Sequence, residues 1–567
     1  MVKKVLIIGG VATGTKAAAR IKRKNPEIEV TIIDQGTIIS YGACGLPYFI
    51  SDLVHDQKEL FSTPIGIPRD ENFFRNVKRV AVYTQTRAEE IDRHNKIVKA
   101  VNVVTGEKRE FSYDKLVLAL GGVPVVPPIE GVNLQNIFQL RKMEDGLAIK
   151  QFLMKGGINH AVIVGSGLIG LEMAEAFYEW GIETTVIEML DWVLPAVLDK
   201  DIALILSRYL EEKGIHLFTS EKVLRFEGNE SGAVKKVITN KRELPADLVL
   251  LGVGVKPNVE LAKNAGIVLG ETGAIQVNEY LQTSDPDIYA GGDCVENIHR
   301  ITGKRIYVPL GSTANKHGRI IADHITGGTL PFPGVLGTAI CKVLDFNVAK
   351  TGLNEQEARK EGFAVETVIC PGPDRPHYFP EWKNIIIKLI ADRNDGRLLG
   401  AQIIGPGDVA KRIEVVVTAL SLKASVKEIS NFDLAYAPPF SPALDSIITA
   451  ANVLANKLDG IAKSISSLQV KEKLDRGDDF ILLDVRAPVE YEELRIEDPR
   501  VKLIPLGKLQ TELKNLPLDK EIITFCQISL RGYEAQRMLE AYGFRDVKFM
   551  EGGMLAWPYE RVGKLWE

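Results

Sequence analysis

Ala161-Val162-Ile163-Val164-Gly165-Ser166-Gly167-Leu168-Ile169-Gly170 reads as a buried strand, a glycine turn and the start of a helix that runs through Trp180. A second strand, Thr184 to Ile187, follows and ends in Glu188. The spacing has a physical logic. Gly165 makes the tight turn, Gly167 lets the backbone approach a pyrophosphate, and Gly170 packs the helix against the strand. The pyrophosphate rests on the helix N-terminus. Glu188 is placed to hold a ribose, and a carboxylate there favours a free 2'-hydroxyl over a 2'-phosphate, so NADH is preferred to NADPH.

Working back along the chain, the same unit occurs once more. Val5 to Ile8 is an apolar strand, Gly9-Gly10-Val11-Ala12-Thr13-Gly14 a turn, and an Ala-rich helix follows. The next strand, Val30 to Ile33, ends in Asp34. Val11 stands where the middle glycine is expected, but Gly9, Gly10, Gly14 and Asp34 complete a second dinucleotide fingerprint. Two units of this kind imply two bound dinucleotides.

Just past the first unit lies Tyr41-Gly42-Ala43-Cys44-Gly45-Leu46-Pro47-Tyr48. Cys44 sits between glycines that allow a flat ligand to approach, and the next cysteine along the chain is Cys294. A thiol so placed can exchange electrons with a neighbour but cannot close a local disulfide.

The wider composition limits the function classes. A chain of 567 residues exceeds one core, and about three to five domains are expected. Net charge is −4, which disfavours a generic nucleic-acid binder. Five cysteines without tight spacing argue against a disulfide scaffold and a zinc site, so no metal is expected. The Val5–Ile8 run is too short for a signal sequence, and no apolar run reaches membrane-spanning length. A reducing, cytoplasmic setting is the expectation, with neither membrane nor nucleic acid as partner. Cys294, Cys341 and Cys370 read as packing residues.

Two further markers are Gly121-Gly122-Val123-Pro124 after the apolar Leu116–Leu120, and Thr283-Ser284-Asp285-Pro286-Asp287-Ile288-Tyr289-Ala290-Gly291-Gly292-Asp293. The latter ends a strand in an aspartate expected to face a helix start. With these motifs in place, the first 450 residues resemble the pyridine nucleotide-disulfide oxidoreductases. The closest likeness is to the single-cysteine branch of coenzyme A-disulfide reductases, NADH oxidases and NADH peroxidases. That resemblance implies FAD in the first unit, NADH in the second, and Asp293 against the FAD. It also implies a dimerisation domain from about Phe332 to Asp445. Lys16, Arg20 and Arg23 share one helix face, and the resemblance makes that face, with Ser40 and Asn315, a site for coenzyme A. Tyr378 and Tyr436 match a pair that the neighbouring subunit brings to the cysteine, which implies a homodimer and a role for their hydroxyls in protonating a leaving thiolate. Ala43 and Leu444 depart from the family's asparagine and lysine, which points away from simple coenzyme A disulfide.

The last hundred residues form a separate unit. Phe480 to Arg486 reads as a strand closed by Asp484-Val485-Arg486, and Glu521 to Phe525 as another. Cys526-Gln527-Ile528-Ser529-Leu530-Arg531-Gly532 is a loop before a helix from Tyr533 to Tyr542. Backbone amides in such a loop stabilise thiolate or persulfide. The segment resembles a rhodanese domain through its C-x-x-x-x-R loop, Asp484-Val485-Arg486 and Gly552-Gly553 before Trp557. Cys526 is then expected to carry sulfane sulfur, with Arg531 a further catalytic residue of the loop.

The expected fold class is α/β, with two Rossmann-like dinucleotide-binding domains, an α+β dimerisation domain and a C-terminal α/β rhodanese-like domain. The boundaries expected are 1–115 with 250–325 for FAD, 116–249 for NADH, 326–445 for dimerisation, a linker segment over 446–466 with a helix from Ile447 to Leu458 and a polar stretch from Ala462 to Ser467, and 467–567 for the rhodanese-like domain. The expected function is an FAD-dependent oxidoreductase using NADH to reduce persulfide, polysulfide or coenzyme A disulfide bonds through Cys44. Thiolate character at Cys44 is expected to be favoured by backbone amides and by a charge-transfer contact with oxidised flavin. Two rivals stand beside this reading: an NADH oxidase or peroxidase cycling Cys44 through sulfenic acid, and a redox-sensing flavoprotein with a docking rhodanese module. Ala12-Thr13 in the first turn, where the oxidases place a histidine, counts against the former.

Overall fold

In the computed structural model, residues 2–566 are described. They form two compact units, residues 2–187 with Lys222–Val335, and Glu188–Glu221 with residues 336–566.

The first unit is built on parallel sheets. Val5, Leu6, Ile7 and Ile8 are buried because the strand Lys4–Ile8 is covered on both faces, as an unbroken apolar run requires. It pairs in parallel with Glu29–Ile33 on one side and Lys115–Leu118 on the other. Ala81–Tyr83 and Ile288–Ala290 extend the sheet at its two edges. The strand Ile288–Ala290 joins this sheet only after the chain has made a second one. In that second sheet His160–Val164 lies between Glu183–Ile187 and Leu248–Leu251, and Ile137–Phe138 adds to the latter, all parallel. The second dinucleotide unit is thus an insertion in the first.

The helix Thr13–Lys24 follows the first glycine turn, and Gly311–Ile325 packs on it without an intervening side chain at one point. A Cβ on Gly318 would collide with the Thr13 carbonyl. The Thr13 hydroxyl donates to the Ala314 carbonyl at 2.8 Å, tying the two helices together.

The second unit holds an antiparallel sheet in the order Ala339–Val343, Phe346–Gly352, Leu398–Gly405, Asn384–Asp392, Val365–Pro373. The helix Val409–Leu422 starts where the Asp408 side chain accepts the Lys411 amide, and stops at Lys423 in the left-handed conformation. The helix Ser446–Leu458 starts at Asp445, whose carboxylate also binds the buried Arg412 guanidinium at 3.0 Å.

The C-terminal part is a parallel sheet in the order Ser464–Ile465, Val547–Met550, Ile522–Phe525, Ile481–Asp484, Val501–Leu503. Its core is apolar on both faces, with Phe480, Phe525, Met554 and Trp557 on one side and Leu483, Leu509, Leu539 and Val547 on the other.

Two local readings need correction. The helix Ser446–Leu458 matches the one expected from Ile447 to Leu458, but the polar stretch 462–467, expected as a linker, holds the edge strand Ser464–Ile465. The polar side chains that suggested a linker are caps: Ser466 and Gln469 form a capping box that starts Ser467–Arg476. The helix expected from Tyr533 begins at Leu530, because Ser529 at φ 96° turns the chain abruptly into it. The strand Ile288–Ala290 ends three residues before Asp293, and the next helix along the chain is Gly311–Ile325. Among the described residues no helix is long and apolar enough to cross a membrane.

Candidate active sites

Glycines in the first turn are required by the close approach of the backbone around them. Gly9 has φ 106°, and a Cβ there would collide with the Ala119 carbonyl; one on Gly14 would collide with the Gly9 carbonyl. The Gly10 amide donates to Asp34 at 2.6 Å, and the Gly36 amide reaches the other carboxylate oxygen at 2.7 Å. Burial raises the Asp34 pKa, and these two amides oppose the rise. The carboxylate is thus fixed at the strand end, where a ribose hydroxyl would meet it.

In the second turn Gly165 and Gly170 are similarly confined, the one by the Gly252 carbonyl at 2.6 Å and the other by the Gly165 carbonyl. Gly167 differs. The nearest atom to its added Cβ is 3.9 Å away, so the fold itself does not require glycine there. Open space above bare backbone is what a pyrophosphate needs. Glu188 begins the other unit, where its side chain is buried and accepts the Leu190 amide at 2.9 Å.

Cys44 sits in the single turn Ala43–Gly45, which runs into the helix Leu46–Ile50. The Gly42 amide donates to the Leu60 carbonyl at 2.8 Å, and a Cβ on Gly45 would lie 2.5 Å from Leu60 Cδ2. These constraints leave the thiol exposed while the other four cysteines are buried. The first residue of the helix Gly311–Ile325 is beside it, the Cβ direction of Gly311 ending 3.8 Å from the sulfur. Asn315, one turn on, is exposed and donates to the Gly311 carbonyl at 2.9 Å.

The protein packed around the Cys44 thiol raises its pKa and Glu172 and Asp293 raise it further, while Arg141 and the backbone amide of Cys44 lower it. Two carboxylates outweigh one guanidinium. Glu172 itself is pushed up to about 7 by burial and by Glu175. Arg141 forms an ion pair with Asp293 at 2.8 Å and donates to the Gly122 carbonyl at 3.1 Å, while the Tyr307 hydroxyl donates to the Asp293 carbonyl at 2.9 Å.

Glu172 and Arg141 were not found by sequence reasoning. Glu172 lies two residues beyond the last glycine of the second turn, so its signal was its place on a helix already assigned to another ligand. Arg141 follows an irregular stretch without any motif.

Of the basic helix face, Lys16 and Arg23 are exposed. Arg20 is not free: its guanidinium donates twice to Asp323, at 2.8 and 2.9 Å. Ser40 has φ 55° and its amide donates to the Gly10 carbonyl at 2.7 Å, so it is held against the first glycine turn. In the second unit Tyr378 and Tyr436 are exposed and joined through their hydroxyls, a bond that, with some burial, raises the Tyr378 pKa.

Cys526 ends the strand Ile522–Phe525 and is fully buried. Its carbonyl accepts the Met554 amide at 2.9 Å, Gln527's accepts that of Leu555 at 3.0 Å, and Ser529 Oγ accepts that of Gly552 at 2.7 Å. Gly553 is obligatory, since a Cβ would strike the Cys526 carbonyl. Arg531 binds Glu490 through both terminal nitrogens, at 2.7 and 2.6 Å, and lies within electrostatic reach of Cys526. Asp484 and Arg486 form a fully buried pair at 2.8 Å, and Arg486 reaches the Gln527 side chain at 3.3 Å.

Comparison with known proteins agrees with this geometry. Residues 3–310 match the pyridine nucleotide-disulphide oxidoreductase family, 338–447 its dimerisation domain, and 466–559 the rhodanese-like domain. A Pyrococcus horikoshii protein named NAD(P)H coenzyme A polysulfide/persulfide reductase is 41% identical over 454 residues, 80% of this chain and 99% of that one. The structure of an NAD-dependent persulfide reductase from A. fulgidus aligns with a TM-score of 0.93 at 45% identity, covering 98% of this chain and 100% of that one. Reduced Bacillus anthracis CoADR-RHD aligns with a TM-score of 0.90 at 33% identity, covering 98% and 97%. The chain therefore belongs to the pyridine nucleotide-disulphide oxidoreductase family, carries a rhodanese-like domain after its dimerisation domain, and is an NAD(P)H-dependent oxidoreductase.

Proposed function

We propose that the chain is an FAD-dependent reductase that uses NADH to cleave persulfide, polysulfide or coenzyme A disulfide bonds at Cys44, while Cys526 accepts and presents sulfane sulfur. The observation that carries this reading is a single exposed thiol, held between glycines beside Glu172, Asp293 and Arg141, with the remaining cysteines buried. The names of the Pyrococcus horikoshii and A. fulgidus relatives support persulfide as the substrate class.

The residues that fit the cofactors are Gly9, Gly10, Gly14, Asp34 and Asp293 for FAD, and Gly165, Gly167, Gly170 and Glu188 for NADH. Bound FAD would supply two electrons taken from NADH as hydride. The chain's part is to bind, orient and manage protons. Lys16 and Arg23, with Ser40 and Asn315, bind the coenzyme A end of the substrate; Arg20 contributes by shaping the helix through Asp323. Cys44 as thiolate attacks the outer sulfur of a persulfide R–S–SH. The S–S bond breaks, RS⁻ leaves with the electron pair, and Cys44 carries –S–SH. Two electrons then cleave the new S–S bond, releasing HS⁻ and restoring the thiolate. Glu172, with a pKa of about 7, changes charge near neutral pH within electrostatic reach of Cys44. In a homodimer built on the dimerisation domain, Tyr378 and Tyr436 of one protomer protonate the RS⁻ that leaves when Cys44 of its partner attacks.

The test is anaerobic NADH oxidation with coenzyme A persulfide, coenzyme A disulfide and polysulfide. Sulfide release in step with NADH, lost in Cys44→Ser, is the expected result. Equal NADH consumption with dioxygen alone, and none with the sulfur compounds, would overturn it.

A further inference from the structure

We propose that the Glu490–Arg531 pair makes the Cys526 loop select sulfur donors of low charge, such as organic persulfides, over oxyanionic donors such as thiosulfate. The inference rests on the reading of Cys526 as a sulfur acceptor.

After Cys526, the residues Gln527, Ile528, Ser529 and Leu530 carry no charge, and Arg531, in the first turn of the helix, is the first cation. That guanidinium is already engaged, with Glu490 accepting one N–H from each terminal nitrogen at 2.7 and 2.6 Å. Their side chains are only 34% and 30% exposed, so the pair is partly withdrawn from water. The second guanidinium at the loop, Arg486, is committed to Asp484 with both side chains fully buried. Its other donors go to the Glu490 and Leu494 carbonyls and to Gln527. Each cation thus has its own carboxylate, and the reactive thiolate leaves the loop net negative. Val489 and Leu530, next in sequence to the paired residues, are apolar and each 59% exposed.

The two donor classes place different charges here. With a persulfide, the Cys526 thiolate attacks the outer sulfur of R–S–SH, the S–S bond breaks, and RS⁻ departs with the electron pair. One negative charge is present throughout. With thiosulfate the same attack releases sulfite, and three negative charges share the loop from encounter to departure. A free guanidinium fork would hold such an oxyanion through two hydrogen bonds. Glu490 occupies that fork and cancels its charge, and in partly desolvated surroundings like charges repel several times more strongly than in water.

Glu490 also accepts the Ala487 amide at 3.1 Å, starting the helix Pro488–Glu493. Glutamine can keep that bond without the charge, so Glu490→Gln separates charge from fold. The experiment follows sulfur loading of Cys526 by mass spectrometry in the flavin-loaded full chain, with thiosulfate and with a small alkyl persulfide. Glu490→Gln is expected to raise the thiosulfate-to-persulfide rate ratio about tenfold or more, whereas Glu490→Asp keeps the wild-type ratio even if both rates fall. In the wild type, added salt should speed thiosulfate transfer more than persulfide transfer. An unchanged ratio in Glu490→Gln, or equal salt responses, would overturn the selection proposed here and leave sulfur carriage intact. Failure of every donor to load wild-type Cys526 would end both readings.

Discussion

Lys457 and Glu551 form a buried ion pair that joins the helix Ser446–Leu458 to the residue just before Gly552-Gly553. Glu551 also accepts from the Ser464 hydroxyl at 2.5 Å and the Ile369 amide at 2.9 Å. Burial would lower the Lys457 pKa, but Glu551 and Glu366 raise it overall, so the charged pair persists. The turn that clasps the Cys526 loop is therefore anchored on the antiparallel sheet of the same unit.

Removing one partner of that pair should be costly. Lys457→Met leaves Glu551 without its cation, and a loss of about 3–5 kcal/mol is expected for breaking a buried pair from one side. Denaturant unfolding followed by far-UV circular dichroism measures it. A loss below about 1 kcal/mol, typical of exposed pairs, would show that the anchor is dispensable.

The two glycine types in the second turn should respond differently to alanine. Gly170→Ala forces a Cβ into the Gly165 carbonyl and should lower the melting temperature. Gly167→Ala finds space, so the melting temperature should hold while the KM for NADH rises, on the order of tenfold. A KM left unchanged in a folded Gly167→Ala protein would mean that the nucleotide backbone does not approach there.

His317 offers a pH prediction. It is fully buried, its Nδ1 accepts the Gly292 amide at 3.0 Å, and burial and Lys316 push its pKa down to about 3. A depressed histidine pKa contributes stability above the unfolded value near 6.5 that is lost as pH falls below it, because the unfolded chain takes up the proton first. About 2 kcal/mol should be lost between pH 8 and 5 from this residue alone. Comparing denaturant unfolding of the wild type and His317→Asn at both pH values isolates it; equal losses in the two proteins would refute the assignment.

Much of this architecture was readable from residue order. Apolar runs such as Val5–Ile8 and Ile522–Phe525 mark fully covered parallel strands, and the glycine turns mark where each sheet meets a dinucleotide. Cys44 and Cys526 were visible because each sits in a short motif. Glu172, Arg141 and Glu490 were not, since each acts through partners far along the chain: Arg141 meets Asp293, and Glu490 meets Arg531. Periodicity cannot report such pairs. The stretch 462–467 misled because the capping Ser466 resembles linker composition until the helix it starts is seen.

Glu172 gives the charge at Cys44 a direct readout. Above about pH 7 its carboxylate is ionised and holds the thiol up. Glu172→Gln should move the pH midpoint of Cys44 alkylation in the holoenzyme downward, on the order of half a pH unit. A midpoint that does not move would remove Glu172 from the site.

The account is tested most directly by single-turnover mixing of NADH-reduced enzyme with coenzyme A persulfide, comparing wild type with Cys44→Ser. The prediction is rapid flavin reoxidation and one sulfide per turnover in the wild type, and neither in Cys44→Ser. Sulfide release at the wild-type rate from the Cys44→Ser protein would contradict it.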